Sequence, residues 1–399
     1  MLRTNQKAFV MNFKKIILPL AVLAVIFSGC KKEGVPDLTH LTITSISPVS
    51  PRVDSVFTVT VEARDKNGGN QVLDANTTVT LSLVSGTGHL TGDLTATMEA
   101  PANIVKFTNV KYDVVESDVV IRATVSGGTS LADGLSAPFN VTGPMLIFKF
   151  KFDSTQVRLD AFGNPSTMPV GHAGQSPKFN SMSAHYIEFA PNDITPLGGG
   201  TVLYRAAETT AGGPSAIDFD QSVKAGEGQT FFSMPLKTVA QGTYKWLRIS
   251  LAYQNYDIKF RYLTYDLTGT LASFIGFNTY INSYKIKNST VAVGANKLQG
   301  YWGFETNSSV TEGQASVTTV PNPNPSSPIP AGSCVVTAQF TPLLNIPTNA
   351  THDMVITVSL STNKSFEWMD LNSNGIYEPA AGDVVVDMGI RGMIPIVQY

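Results

Sequence analysis

A two-residue rhythm constrains this chain more than anything else in it. In VFTVTVEA, Phe57, Val59, Val61 and Ala63 alternate with Thr58, Thr60 and Glu62. A strand puts every second side chain on one face, so this pattern predicts a half-buried strand. TTVTLSL repeats it through Val79, Leu81 and Leu83, and VVIRATV through Val119, Ile121, Ala123 and Val125. LTITSI, NIVKFTNV and APFNV supply further strands, separated by turn clusters such as Asp65-Lys66-Asn67-Gly68-Gly69 and Ser126-Gly127-Gly128. About seven short strands over roughly 100 residues predict a sandwich of the immunoglobulin-like kind over 41–143.

Thr142-Gly143-Pro144 marks a boundary, and 145–399 reads as a second, larger β region without helical periodicity. It opens on LIFKFKFDS, where Phe148, Phe150 and Phe152 alternate with Lys149, Lys151 and Asp153. Later strand candidates are AHYIEFA, GTVLYRAA, YKWLRISLAY, IKFRYLTYDL, YWGFE, CVVTAQF, DMVITVSL and DVVVDMGI. The Pro-, Asn- and Ser-rich stretch 318–332 predicts an exposed loop within that region. The expected architecture is all-β, an Ig-like sandwich followed by a larger antiparallel, jelly-roll-like sandwich with few or no helices. Whether 145–399 is one domain or two stays open.

The N-terminal segment is a different kind of signal. Lys14 and Lys15 precede an apolar run from Ile16 to Phe27, closed by Ser28-Gly29-Cys30. That is the layout of a signal peptide over 1–29. FSGC resembles the lipobox of bacterial lipoproteins, and the resemblance implies cleavage before Cys30 and acylation of its thiol. Residues 30–40 would then be a lipidated tether. Lys31, in place of an Asp after the cysteine, implies by the same resemblance an outer-membrane address. The side of the membrane that the body faces stays open.

Composition narrows the partners. The full chain has 28 basic and 30 acidic residues, and 1–29 holds Arg3, Lys7, Lys14 and Lys15 but no acid. The body after the cut is therefore net negative and has no basic run, which excludes nucleic acid as the expected partner. With Cys30 acylated, Cys334 has no cysteine to pair with, so the fold must stand on burial, with Cys334 an inert thiol in a strand.

FTVTVEARDKNG followed by VTLSLVSGTGHLTG resembles the Ig-like repeats of invasin-type surface proteins, which implies a stalk or spacer. In the larger region FKFDSTQVRLDAFGN, MSAHYIEFA, VAQGTYKWLRISLAY and GYWGFE together resemble the copper-binding lipoproteins associated with methanobactin operons. That resemblance implies copper as an alternative cofactor, with His172 and His185 as the alternative ligands.

The familiar enzyme motifs are absent from the sequence: there is no GxSxG, HExxH, GxxxxGK[ST] or CxxC. Asp218 and Asp220 lie two apart, on one face if the segment is a strand. They keep alive a glycan hydrolase, which would need another carboxylate across a cleft. A solvated strand face is the plainer explanation. Between Trp246 and Trp302, Tyr253, Tyr256, Tyr262, Tyr265, Tyr280, Tyr284 and Tyr301 suggest either a recognition platform or ordinary core.

The sharpest motif is DLNSNGIYE, in which Asp370, Asn372, Asn374, Ile376 and Glu378 fall at the spacing of a calcium loop. Asp383 is a further candidate, replacing the acid missing at Ala381. A plain Asn374-Gly375 hairpin is the bland reading. The sequence-level expectation is a non-enzymatic, lipid-anchored envelope protein that binds a glycan, a surface protein or a metal. Calcium would be a structural cofactor.

Overall fold

A computed structural model describes residues 39–159, 165–307, 309–315 and 327–399. The signal segment, Cys30, most of the tether and residues 316–326 of the Pro-rich stretch lie outside the described residues. The fold is all-β: among the described residues the only helical elements are two three-residue 3₁₀ turns, Leu236–Thr238 and Pro379–Ala381.

The N-terminal unit is a sandwich. One sheet orders His40–Ser47, Phe57–Arg64, Ile104–Tyr112 and Leu90–Gly92. The other orders Thr95–Met98, Thr77–Ser85, Glu116–Gly127 and Gly134–Leu135, with Phe139–Val141 also paired to 116–127. The alternation read from sequence becomes burial: Phe57, Val59, Val61, Ala63, Val79, Leu81, Val119, Ile121 and Ala123 close one shared core. Removing each large apolar side chain from water contributes roughly 1.5–3 kcal/mol.

The larger unit has its own core and three layers. The first is a sheet ordered Thr230–Pro235, Met145–Asp153, Met354–Ser361 and Met393–Gln398. Leu146, Phe148 and Phe150 are fully buried on its inner face, while Lys149 and Lys151 stay partly exposed. Met145–Asp153 and Met354–Ser361 run parallel, as do Ala216–Asp218 and Asn278–Lys285. All other strand pairs between named strands are antiparallel. A parallel neighbour needs a long connection, and more than 200 residues of chain separate the first pair in sequence, so no local signal announces it.

The middle layer orders Thr201–Arg205, Lys178–Ala190, Gly242–Tyr262, Tyr265–Phe274, Tyr301–Thr306 and Ser309–Gln314. Its axis is the 21-residue strand Gly242–Tyr262. The first half of that strand pairs with Cys334–Ile346 and the second half with 265–274. The sheet forks at Ala252, whose carbonyl accepts from the amides of both Ile275 and Gly276. An outer sheet of Glu208–Thr209, Ala216–Asp218, Asn278–Lys285 and Thr290–Leu298 covers the far face, enclosing Phe219, Tyr253, Phe274, Tyr284 and Tyr301. A small sheet of His172–Gln175, Phe366–Met369 and Val384–Asp387 closes one end.

Candidate ligand cleft

Beyond the fork, one face of the middle sheet gives a cavity its aromatic floor. Ile258, Phe260, Leu271, Trp302 and Phe304 lie on it, and the segment from Phe366 to Met388 forms the opposite wall. Between them is a cavity of about 630 Å³, within the usual range for ligand sites of roughly 300–1,000 Å³.

Two glycines set the floor. A Cβ on Gly269 would stand 2.1 Å from Phe304 Cζ, and one on Gly313 would stand 2.4 Å from Trp302 Cζ2. Trp302 and Gly313 are direct cross-strand partners. Each ring therefore lies flat over a neighbouring backbone that carries no side chain, as aromatic side chains do over strand glycines. Phe260 meets Phe304 edge to face at 5.5 Å. On the opposite wall Phe366 and Tyr377 pack edge to face at 5.2 Å, and Trp368 lies 5.6 Å from Tyr377.

A charged network behind that wall holds it in place. Glu367, almost fully buried, accepts from Arg391 at 2.8 Å, from His172 Nδ1 at 2.6 Å and from Arg158. Burial pushes its carboxyl up, but the bonds from His172 and Arg158 outweigh that and leave it below the ordinary range. Arg391 also pairs with Asp387 at 2.7 Å, and Asp387 accepts from the Gly389 amide at 2.9 Å. Among the described residues Asp387 is the one carboxylate lining the cleft, and it is already engaged. Tyr256 and Gln254 donate to the Met388 carbonyl at 2.8 and 2.5 Å, tying the wall to the floor.

The loop 370–383, which carries the motif read from sequence as a calcium loop, forms part of the cleft rim through Tyr377 and Pro379. Asp370 and Asp383 are buried. Asp370 accepts from the amides of Gly375 at 2.7 Å and Asn374 at 3.3 Å, and Asp383 from those of Leu371 at 3.1 Å and Glu378 at 2.8 Å. The side-chain amides of Asn372 and Asn374 donate to one oxygen of Glu378 at 2.7 and 2.6 Å. Ile376 donates its amide to Asn374 at 2.8 Å. One short loop thus gathers all six residues, with Ser373 and Gly375 at positive φ (57° and 74°). Among the described residues no three His, Cys, Asp or Glu side chains group closely enough to hold a metal by themselves. A calcium site here would need the two Asn oxygens and the Ile376 carbonyl as well. Gly375, Ile376 and Tyr377 also line a second hollow of about 520 Å³ that shares Phe260 and Tyr377 with the first.

The other sequence candidates are dispersed. His172 sits on the end sheet with Glu367. His185 is buried in the middle sheet, with Nε2 3.0 Å from Glu208, so the two histidines have different carboxylate partners on different sheets. Asp218 accepts from the Asp220 amide at 3.1 Å and from Gln221 at 2.7 Å, and Asp220 bonds Asn282. Asp218 organises the 218–222 turn, and Asp220 ties it to the neighbouring strand.

Of the suggested platform, Tyr253, Tyr256, Tyr284 and Tyr301 are buried in the two cores of the larger unit, while Tyr262 and Tyr265 face each other on an exposed hairpin. Burial rather than recognition accounts for most of these rings. Tyr253 and Tyr301 are accordingly pushed up to about 12 by desolvation. Cys334 is buried and its thiol is also pushed up to about 12, which suppresses the thiolate. The sequence signal for the floor was Trp302-Gly303-Phe304 read against Gly269 and Gly313, and it needed strand register to be seen.

Comparison of the chain with protein-family models, with curated proteins and with solved structures finds no match in any of the three.

Proposed function

We propose that this chain is a non-enzymatic binding protein of the cell envelope, anchored by lipid on Cys30 to the outer membrane, whose larger β unit takes its ligand in the aromatic cleft. The cleft is the observation that carries the reading. Among the described residues it pairs a largely apolar, pre-shaped lining with a single carboxylate that Arg391 and Gly389 already occupy, which suits recognition better than proton transfer. The N-terminal sandwich is the spacer that lifts this unit from the membrane. Calcium held by Asp370, Asn372, Asn374, Ile376 and Glu378, with Asp383, is the proposed brace of the cleft rim.

Two measurements test it. Cys30→Ser should release the protein from the membrane fraction, and unchanged fractionation would refute the anchor. Residues 31–399 should enhance 1-anilinonaphthalene-8-sulfonate fluorescence, and Trp302→Ala should weaken dye binding about tenfold. A wild-type protein that leaves the dye dark would remove the cleft as a binding site.

A further inference from the structure

The cleft is part of a longer trough. Its cavity and the second hollow share Phe260 and Tyr377, with Trp302 lining the first and Trp368 the second. Where Trp302 and Phe304 lie flat over Gly313 and Gly269, the floor is a platform of ring faces. The trough is not purely apolar, however. Among the described residues the Trp302 Nε1–H and the Tyr377 hydroxyl, both on half-buried side chains, have no hydrogen-bond partner. Desolvation pushes the Tyr377 pKa up, which keeps that hydroxyl a donor. Trp368 is 1% exposed, and its Nε1 is buried without a partner. An unpaired buried N–H is costly and uncommon, so an unmet donor beside a hollow calls for an acceptor that arrives with the ligand. Exposed Thr311 and Thr268 add one hydroxyl to each hollow. None of these groups is charged, and Asp387 in the first hollow is already paired with Arg391.

These features decide among ligand chemistries. An acyl chain would leave the indole and phenol donors unmet, and one compact planar ring system would fill a single hollow. A chain of pyranose rings meets both demands. Each ring packs a C–H face on an aromatic floor and carries oxygens round its edge that accept from an indole N–H. We infer that the ligand is an oligosaccharide lying along the trough, with one sugar ring on the Trp302 and Phe304 floor and the next beside Trp368. The hydroxyls of the first ring pair with Trp302 Nε1 and Tyr377. The inference rests on the cleft being the binding site. Apolar ring faces supply affinity, and the few polar groups fix which sugar fits.

The test probes an array of mono- to hexasaccharides, neutral and acidic, with fluorescein-labelled residues 31–399. The strongest hit is then titrated by calorimetry, with its shorter and longer homologues, into wild type, Trp302→Ala and Tyr377→Phe. The same saccharide and laurate are each competed against the dye used above. Affinity should rise at least tenfold from the mono- to the trisaccharide, the trisaccharide should displace the dye, and Trp302→Ala should bind it at least tenfold more weakly. Tyr377→Phe keeps the ring. It should bind the dye as wild type does while weakening the saccharide about fivefold, which separates a lost hydrogen bond from a damaged fold. Equal saccharide affinity in all three proteins, or a saccharide that leaves the dye in place, overturns the inference. So does laurate displacing the dye when no saccharide does, since the ligand is then a lipid. If the dye binds and no glycan on the array does, the oligosaccharide inference fails while the cleft stands. If neither binds, the cleft reading itself fails.

Discussion

His185 sits where two strands of the middle sheet drift out of step, between Ala184 paired with Leu251 and Tyr186 paired with Ser250. Its ring is 1% exposed, bonds Glu208 through Nε2 and leaves Nδ1 buried without a partner. Burial lowers its pKa from the ordinary 6.5, more strongly than the Glu208 bond raises it. The folded state thus resists protonation that the unfolded chain accepts. The resulting stability is full above about 6.5 and falls as the pH drops from there towards the lower folded value. His185→Gln should cost about 1 kcal/mol at pH 7.5 through the weakened bond to Glu208. It should also flatten part of the wild-type decline between pH 6.5 and 5, as read from urea midpoints. Parallel pH profiles for the two proteins would show that His185 does not titrate on unfolding. Sequence could single out this residue only because histidines are few. Its partner Glu208 lies 23 residues away on the outer sheet, and no spacing rule connects them.

At the scale of elements, alternation was legible wherever one face is wet. The strands Phe57–Arg64, Thr77–Ser85 and Met145–Asp153 lie where their patterns put them. It misled where both faces are buried. YKWLRISLAY and IKFRYLTYDL read as two strands, yet Gly242–Tyr262 is continuous, and the break falls later, at the Tyr262–Tyr265 hairpin, where Leu263 takes φ 55°. Residues 247–256 are all buried because layers pack on both sides, which erases the period-2 signal. The loop 370–383 was legible as a motif because its ligand types are local in sequence. Its position on the cleft rim was not, since Phe260 and Trp302 come from distant strands. Calcium at ten times its dissociation constant should stabilise the protein by about 1.4 kcal/mol if the unfolded chain does not bind it. With so few formal charges, the dissociation constant should be on the order of 10⁻⁴–10⁻³ M. Thermal melts with calcium and with chelator, on wild type and Asp370→Ala, decide the point. A calcium shift that survives Asp370→Ala, or none in wild type, leaves the loop a hydrogen-bonded turn.

Over the whole molecule, two separate cores meet at a clamped junction. Arg52, in the N-terminal unit, makes a bidentate pair with Asp353 at 2.8 and 2.9 Å, and Asp353 also accepts from the Met145 amide at 2.8 Å. Val53 donates to the Thr142 carbonyl at 2.8 Å, Thr142 to that of Pro51 at 2.9 Å, and Lys237 to that of Val115 at 3.2 Å. Gly143-Pro144 alone would read as a hinge, and units joined by a short linker move by default. Arg52 and Asp353 are 301 residues apart, so nothing in the sequence announces the clamp. Both side chains are about a third exposed or more (40% and 31%), and Arg52→Ala should therefore lower overall stability by no more than roughly 1 kcal/mol. The larger effect should be on geometry. Spin labels at Thr44 and Ser233 should give a narrow distance distribution in the wild type and a broader one in Arg52→Ala. Asp353 is held below its ordinary 3.8, mainly by the Arg52 hydrogen bonds and against opposing desolvation. The clamp should therefore be intact at pH 5 and open only as the pH falls through that lower folded value. A distribution already broad in the wild type at neutral pH, or one that Arg52→Ala leaves unchanged, would mean that the clamp does not hold the N-terminal and larger units as one body.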